Sequence, residues 1–170
     1  DSAWVNERFN MPQDILEDGS KQPNFYEVIS SLSYMAAITK RIRLATGVLQ
    51  PSLRDPNLLA NQMATLDAFS KGRAILGVGV GANRQEFVAM KPRDARAHRG
   101  DMLDEFLAAF TLLLSQDNVT YRGSYYEFHN VTIALKPIQR PLPIYITGRS
   151  PDTLRRLARW CAGWLMPISS

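Results

Sequence analysis

One cysteine and two histidines are all that this 170-residue chain offers toward disulfide or metal chemistry. Cys161 has no partner for an internal disulfide, and His98 with His129 makes no ligand cluster, so metal chemistry is not expected. No apolar run is long enough to cross a bilayer, and the opening Asp1-Ser2-Ala3-Trp4 has neither a basic nor an apolar leader region. A membrane partner is therefore not expected, and a cytoplasmic location is. The glycine-rich GVGVG, residues 77–81, lacks the lysine and hydroxyl of a phosphate-binding P-loop and the spacing of a dinucleotide fingerprint. Aromatic residues are not interleaved with the basic ones in any nucleic-acid-binding module, so nucleic acid is not an expected partner either.

What the chain does have is a 45% hydrophobic content with charges of both signs, the composition of a globular domain with a core. The net charge of +4 is unevenly placed. Lys136, Arg140, Arg149, Arg155, Arg156 and Arg159 crowd together with only Asp152 near them in sequence, which fits either an anionic small molecule or a solvated helix face.

The informative stretch runs from Lys40 to Phe87. Residues 42–49 and 74–80 are short, apolar and almost uninterrupted, which predicts parallel strands buried on both faces. Between them Pro56 suits a first helical turn, Asp55 suits the N-cap, and Leu59, Met63 and Leu66 recur at helical spacing. Gly72 suits the C-terminal cap. This is a βαβ unit, and both strands end in residues able to take unusual backbone: Thr46-Gly47-Val48 in one, Gly77, Gly79 and Gly81 in the other. Glycines there serve either tight turns or the close approach of a flat ligand.

Elsewhere, Asn24 is a candidate cap for a helix over residues 25–39, and residues 101–115 form a second apolar-striped helix. Asp104 and Glu105 are adjacent, so a helix points them about 100° apart and they read as solvated or salt-bridged rather than as an acid/base pair. Residues 119–134 alternate tyrosines with β-branched residues, which predicts an antiparallel excursion in which His129 is structural. Residues 10–22 read as a loop over the rim of the sheet. Residues 144–147 form another buried strand, and Ser150-Pro151 begins a helix whose first turn reads either as an anion site or as simple helix capping.

The run Ile42-Arg43-Leu44-Ala45-Thr46-Gly47-Val48, then Asp55-Pro56, Ala64-Thr65-Leu66-Asp67, Ser70-Lys71-Gly72-Arg73 and Ile75-Leu76-Gly77-Val78-Gly79-Val80-Gly81 resembles the bacterial luciferase-like superfamily of flavin- and deazaflavin-dependent oxidoreductases. The likeness continues through Arg99-Gly100, Leu103-Asp104-Glu105, Tyr121-Arg122-Gly123, Lys136-Pro137 and Gly163-Trp164. It implies an α/β (β/α)8 barrel, a fold of typically about 250 residues. With strands expected at 2–5, 42–49, 74–80, 144–147 and 163–166, the expectation is a single domain over 1–170 that forms the central part of a barrel, with a β insertion at 119–135.

The resemblance also implies a site. Thr46, Gly47 and Val48 match a bulge, often with a non-proline cis peptide, that presses on one face of the cofactor ring. Gly79, Val80 and Gly81 would let the cofactor lie against the strand, and Gly148, Arg149, Ser150 and Thr153 match a phosphate-binding turn. Val80 stands where flavin mononucleotide (FMN) users can carry a phosphate-binding arginine, which puts the deazaflavin F420 ahead of FMN, with Arg84 close enough to substitute. At the first rim position the family commonly has an Asp-His pair; here Glu7 and Arg8 stand there and are the catalytic candidates. The implied activity is monooxygenation or hydride transfer on a small organic substrate, the alternative being a non-catalytic flavin-binding relative or an inactive barrel fragment. A homodimer stays open.

Overall fold

The computed structural model describes residues 1–9 and 24–167. Five parallel strands, β1 (Ser2–Val5), β2 (Arg43–Thr46), β3 (Ala74–Val78), β6 (Ile144–Thr147) and β7 (Gly163–Leu165), pair in the order β1-β2-β3-β6-β7. The sheet is curled into part of a barrel, with helices on its outer face. β4 (Val119–Arg122) and β5 (Glu127–Val131) form a separate antiparallel pair. The reading of residues 10–22 as a rim loop lies outside the described residues. No helix among the described residues is long and apolar enough to cross a membrane.

β2 and β3 are buried on both faces as their apolar runs predict, every residue of β3 being buried, whereas β6 is buried on one face only and β1 and β7 are partly exposed. Leu44, Leu76, Ile144 and Ile146 point outward into a core shared with Leu32 of α1 (Val28–Ile38), Leu59, Met63 and Leu66 of α2 (Pro56–Ser70), and, beyond the short α3 (Arg84–Met90), Leu103, Phe106 and Phe110 of α4 (Arg99–Ser115). Alternate residues face the barrel interior. There the Trp4 ring meets Tyr145 edge-on, 5.7 Å between centroids.

Helix ends follow their capping chemistry, with one correction. Asp55 caps α2 by accepting from Asn57 N–H (2.9 Å) and Leu58 N–H (3.0 Å), and the helix stops where Lys71 and Gly72 turn left-handed at φ 58° and 80°. The cap of α1 is Glu27 rather than Asn24: its carboxylate accepts from Ser30 N–H at 2.6 Å, held there by Arg54 at 3.1 Å and by the positive end of the helix. Asp104 and Glu105 both have structural partners. Asp104 accepts two hydrogen bonds from the Arg156 guanidinium on α5 (Pro151–Trp160), at 2.6 and 2.8 Å, while Gly100 O takes a third at 3.0 Å, and Glu105 accepts from Ser124 and Tyr125 N–H at 2.8 and 2.9 Å, tying the β4–β5 turn to α4.

The basic cluster is correspondingly dispersed. Arg156 belongs to Asp104, Lys136 pairs with Asp117 at 3.1 Å, Arg155 pairs with Asp152, and Arg159 lies over Trp160. Two of its counter-ions come from or follow α4, so sequence neighbourhood undercounted the acids.

Below the strands, at their amino ends, Arg73 clamps three elements. Its guanidinium donates to Ser70 O (2.6 Å), Ile42 O (2.7 Å), Thr39 O (2.9 Å), Thr39 Oγ1 (3.0 Å) and Ala36 O (3.2 Å). Beside it the fully buried Asp67 accepts from Gln139 N–H (2.9 Å), Gln139 Nε2 (2.7 Å) and Ala74 N–H (3.3 Å).

Candidate active site at the carboxyl rim

The opposite end of the sheet is built differently. β2 and β3 pair at Leu44–Ala74 and Ala45–Ile75, yet the next bridge is Leu49–Val78. Residues 46–48 on β2 thus face only 76 and 77 on β3, which makes a bulge with one extra residue. This is why the ladder of β2 ends at Thr46, short of the expected 49. Gly77 is needed beneath it, since a Cβ there would overlap the carbonyl oxygen of Thr46. The Gly47–Val48 peptide is cis, as the resemblance implied.

The bulge turns Gly47 and Val48 toward a cavity of ≈ 300 Å³ lined also by Trp4, Asn6, Thr147, Leu165 and Met166. That volume lies at the lower end of small-molecule sites, about 300–1,000 Å³. Thr46 itself is fully buried and does not line it; its hydroxyl bonds to Gly77. Gly79 is buried behind the wall: a Cβ there would come within 3.0 Å of Thr147 Cγ2 and 3.1 Å of Val48 Cγ2. Val80 is exposed just beyond, and Gly81, at φ 83°, receives a hydrogen bond on its carbonyl from Arg99 at 2.8 Å.

The neighbouring rim turn belongs to β6, which pairs with β3. Gly148 sits at φ 135° with its carbonyl taking the Trp164 indole N–H at 2.9 Å, and Ser150 caps α5 by accepting from Thr153 N–H at 3.2 Å. Ser150 Oγ and Thr153 Oγ1 are 3.1 Å apart. Arg149 extends along the surface and donates to Pro167 O at 2.9 Å. Gly148, Ser150 and Thr153 are therefore gathered in one turn.

Glu7 and Arg8 lie away from that cavity, in a smaller one of ≈ 140 Å³ that Phe9, Phe25, Tyr26, Glu27, Val28 and Arg54 also line. Glu7 is buried, paired with Arg54 and accepting from Gln50 N–H at 2.7 Å. Burial pushes its carboxyl above the ordinary 4.5, against the downward pull of Arg54 and the Gln50 N–H. The Arg8 guanidinium stands 5.7 Å over the Phe25 ring. Glu86, also buried, accepts from Phe9 N–H and from Gln50 Nε2, both at 2.9 Å, so residues 7–9 are fastened to the β2 and β3 rims.

The family model for luciferase-like monooxygenases matches residues 1–168. The chain belongs to that family. An F420-dependent glucose-6-phosphate dehydrogenase of Kineococcus radiotolerans is 31% identical over 166 residues, covering 97% of this chain and 47% of the relative. An FMNH(2)-dependent dimethylsulfone monooxygenase of Pseudomonas putida is 31% identical over 142 residues, covering 83% of this chain and 39% of the relative. The monooxygenase RslO1 of Streptomyces bottropensis superposes with a TM-score of 0.78 at 28% identity, over 99% of this chain and 49% of that one. The chain spans about half the length of the relatives it matches.

As a luciferase-like chain it contributes five of the strands of a (β/α)8 barrel, and its cavity stands at the carboxyl ends of those strands, where barrels of this type place their chemistry. The residues present suit one face of a flat ring: bulged main chain and Val48 on one side, Trp4, Leu165 and Met166 as apolar walls, Asn6 and Thr147 as polar points. Trp4, Asn6, Thr147, Leu165 and Met166 join this lining without being site candidates from the sequence. Strand alternation marks Asn6, two residues beyond the inward Trp4, and Thr147, two beyond the inward Tyr145; nothing local marks the other three.

Proposed function

We propose that this luciferase-like chain supplies the cofactor-ring wall of an oxidoreductase that takes F420 or FMN and acts on a small organic substrate. The observation that carries the reading is the β2 bulge, which presents Gly47 and Val48 to the rim cavity beside Trp4 and Thr147. Either cofactor, when bound, supplies the hydride chemistry at its central ring. The chain's own part is to bind and shield. Gly47 and Val48 support one ring face, Trp4 and Leu165 keep water from it, and Ser150 and Thr153 with the first-turn N–H groups of α5 receive phosphate. Val80 in place of an arginine favours F420 over FMN. Glu7 and Arg8 remain proposed polar contacts for substrate, reached from the smaller cavity.

The test is titration of the protein with F420 and with FMN, followed by tryptophan emission, since Trp4 lines the cavity. Saturable quenching, stronger for F420, is expected; no binding of either overturns the reading. A specific observation favours a second reading, a non-catalytic ring binder: among the described residues lining the rim cavity beside Gly47 and Val48, none is ionisable. Ring binding without turnover of any alcohol, aldehyde or sulfone substrate would support it.

A further inference from the structure

The bulge has to be held against a strong alternative. A parallel ladder gains a main-chain hydrogen bond at each regular step, and slipping residues 46–48 back into register would recover what the extra residue gives up. The main chain alone does not hold it. Leu49 N–H bonds Gly77 O at 2.8 Å and Gly79 N–H bonds Leu49 O at 3.0 Å, but the pairing breaks between Ala45–Ile75 and Leu49–Val78, and within that break Gly77 N–H donates to the Thr46 side chain. The Thr46 carbonyl is turned onto the Gly77 Cα, where any Cβ would overlap it. The Thr46 hydroxyl fills the gap. It accepts from Gly77 N–H at 2.8 Å, supplying the acceptor that rung lacks, and donates to Gly77 O at 2.7 Å, a second bond on a carbonyl that also takes Leu49 N–H. The side chain is fully buried, so no solvent competes for either bond, and threonine's β-branching restricts the rotamer in which both are made.

We propose that Thr46 is a positioning residue whose hydroxyl holds the β2 bulge in place, so that it sets how a cofactor ring seats against Gly47 and Val48 without touching that ring. The inference rests on the ring site described above. It differs from the family resemblance, which put Thr46 itself against the ring.

The test compares Thr46→Val, which keeps the branched shape and removes the hydroxyl, with Thr46→Ser, which keeps the hydroxyl. Binding is measured for each ring with and without its phosphate: FMN against riboflavin, and F420 against its dephosphorylated deazaflavin. In parallel, hydrogen exchange is followed at the Gly77 amide. T46V should weaken the phosphate-bearing and phosphate-free forms by the same factor, about tenfold, the size of effect that one lost buried hydrogen bond gives. It should also speed exchange at Gly77, while T46S restores affinity to within about threefold on the same scale. A role confined to stability would lower the folded fraction and leave affinity per folded molecule unchanged. Unchanged ring affinity in T46V, a T46S as weak as T46V, or a loss seen only with the phosphate-bearing forms overturns the proposal. Should T46V not fold, Thr46→Cys, similar in size and a poorer hydrogen-bonding group, takes its place with the same outcomes. Failure of the wild-type protein to bind either ring overturns the cofactor reading itself, and this inference with it, and is distinguished by the unsubstituted control.

Discussion

The two ends of the sheet both bury polar groups, and they differ in how completely those groups are paired. At the amino end, all three guanidinium nitrogens of Arg73 donate, and both carboxylate oxygens of Asp67 accept. At the carboxyl end, Gln50 Oε1 and Ser52 Oγ are buried without a partner, as are Asn57 Oδ1 and Gln62 Oε1 in the helix that descends from that rim. A buried polar atom left unpaired costs about 1–3 kcal/mol, so the rim gives up stability that the base keeps. The difference separates roles within one fold. The base closes the βαβ units, and the rim, bulged and incompletely paired, is where a ligand has something to meet.

The strongest way to break this division is at the base. Arg73→Ala should lower stability by about 3 kcal/mol, because five hydrogen bonds to carbonyl and hydroxyl oxygens of α1, the α1–β2 connection and α2 lose a charged donor. Urea unfolding reads the loss, and ring affinity per folded molecule should stay unchanged; a parallel fall in affinity would mean the two ends are coupled. Gly77→Ala tests the rim. Its Cβ meets main chain rather than a movable side chain, so a cost of about 2 kcal/mol is expected together with weaker ring binding. Retained affinity there would show that the bulge tolerates displacement.

A third test uses pH. Glu7 has its folded pKa raised by burial above the ordinary 4.5, so its contribution is fully present below that value and is lost as pH climbs through the folded pKa. Glu27, across Arg54, is the reverse. Burial pushes it up, but Ser30 and the other donors around the α1 start pull it lower still, so its contribution is present above 4.5 and lost as pH falls through the folded pKa. In stability profiles against pH, Glu7→Gln should flatten the decline on the rising side and Glu27→Gln the decline on the acid side. Identical profiles for wild type and Glu7→Gln would refute the assignment. The smallest effect belongs to Ser52→Ala, which removes a buried hydroxyl that bonds nothing and should be neutral or stabilising by up to about 1 kcal/mol in thermal unfolding.

Much of the architecture was legible before any coordinates. Apolar runs placed the strands to within a few residues, Asp55, Pro56 and Gly72 marked the ends of α2, and Ser150-Pro151 marked the start of α5. The order of motifs pointed to the right family and to residues 46–48 as the unusual backbone. The site was legible only in outline. Gly47 and Val48 line the cavity, but Thr46 turns away from it onto Gly77, Arg149 lies along the surface, and Glu7 is held by Arg54, which lies 47 positions away. The pairings of Arg156 with Asp104 and of Gln139 with Asp67, 52 and 72 positions apart, gave no sign in the chain.

Periodicity, capping and turn chemistry act between residues a few positions apart, and so the sequence by itself determined which segments are strands and helices and which face of each is apolar. Which carboxylate neutralises which arginine, and which of three consecutive rim residues faces the cavity, was decided only in the tertiary structure. Strand order brings distant groups within hydrogen-bonding distance, and one extra residue in a ladder reverses the direction in which its neighbours point.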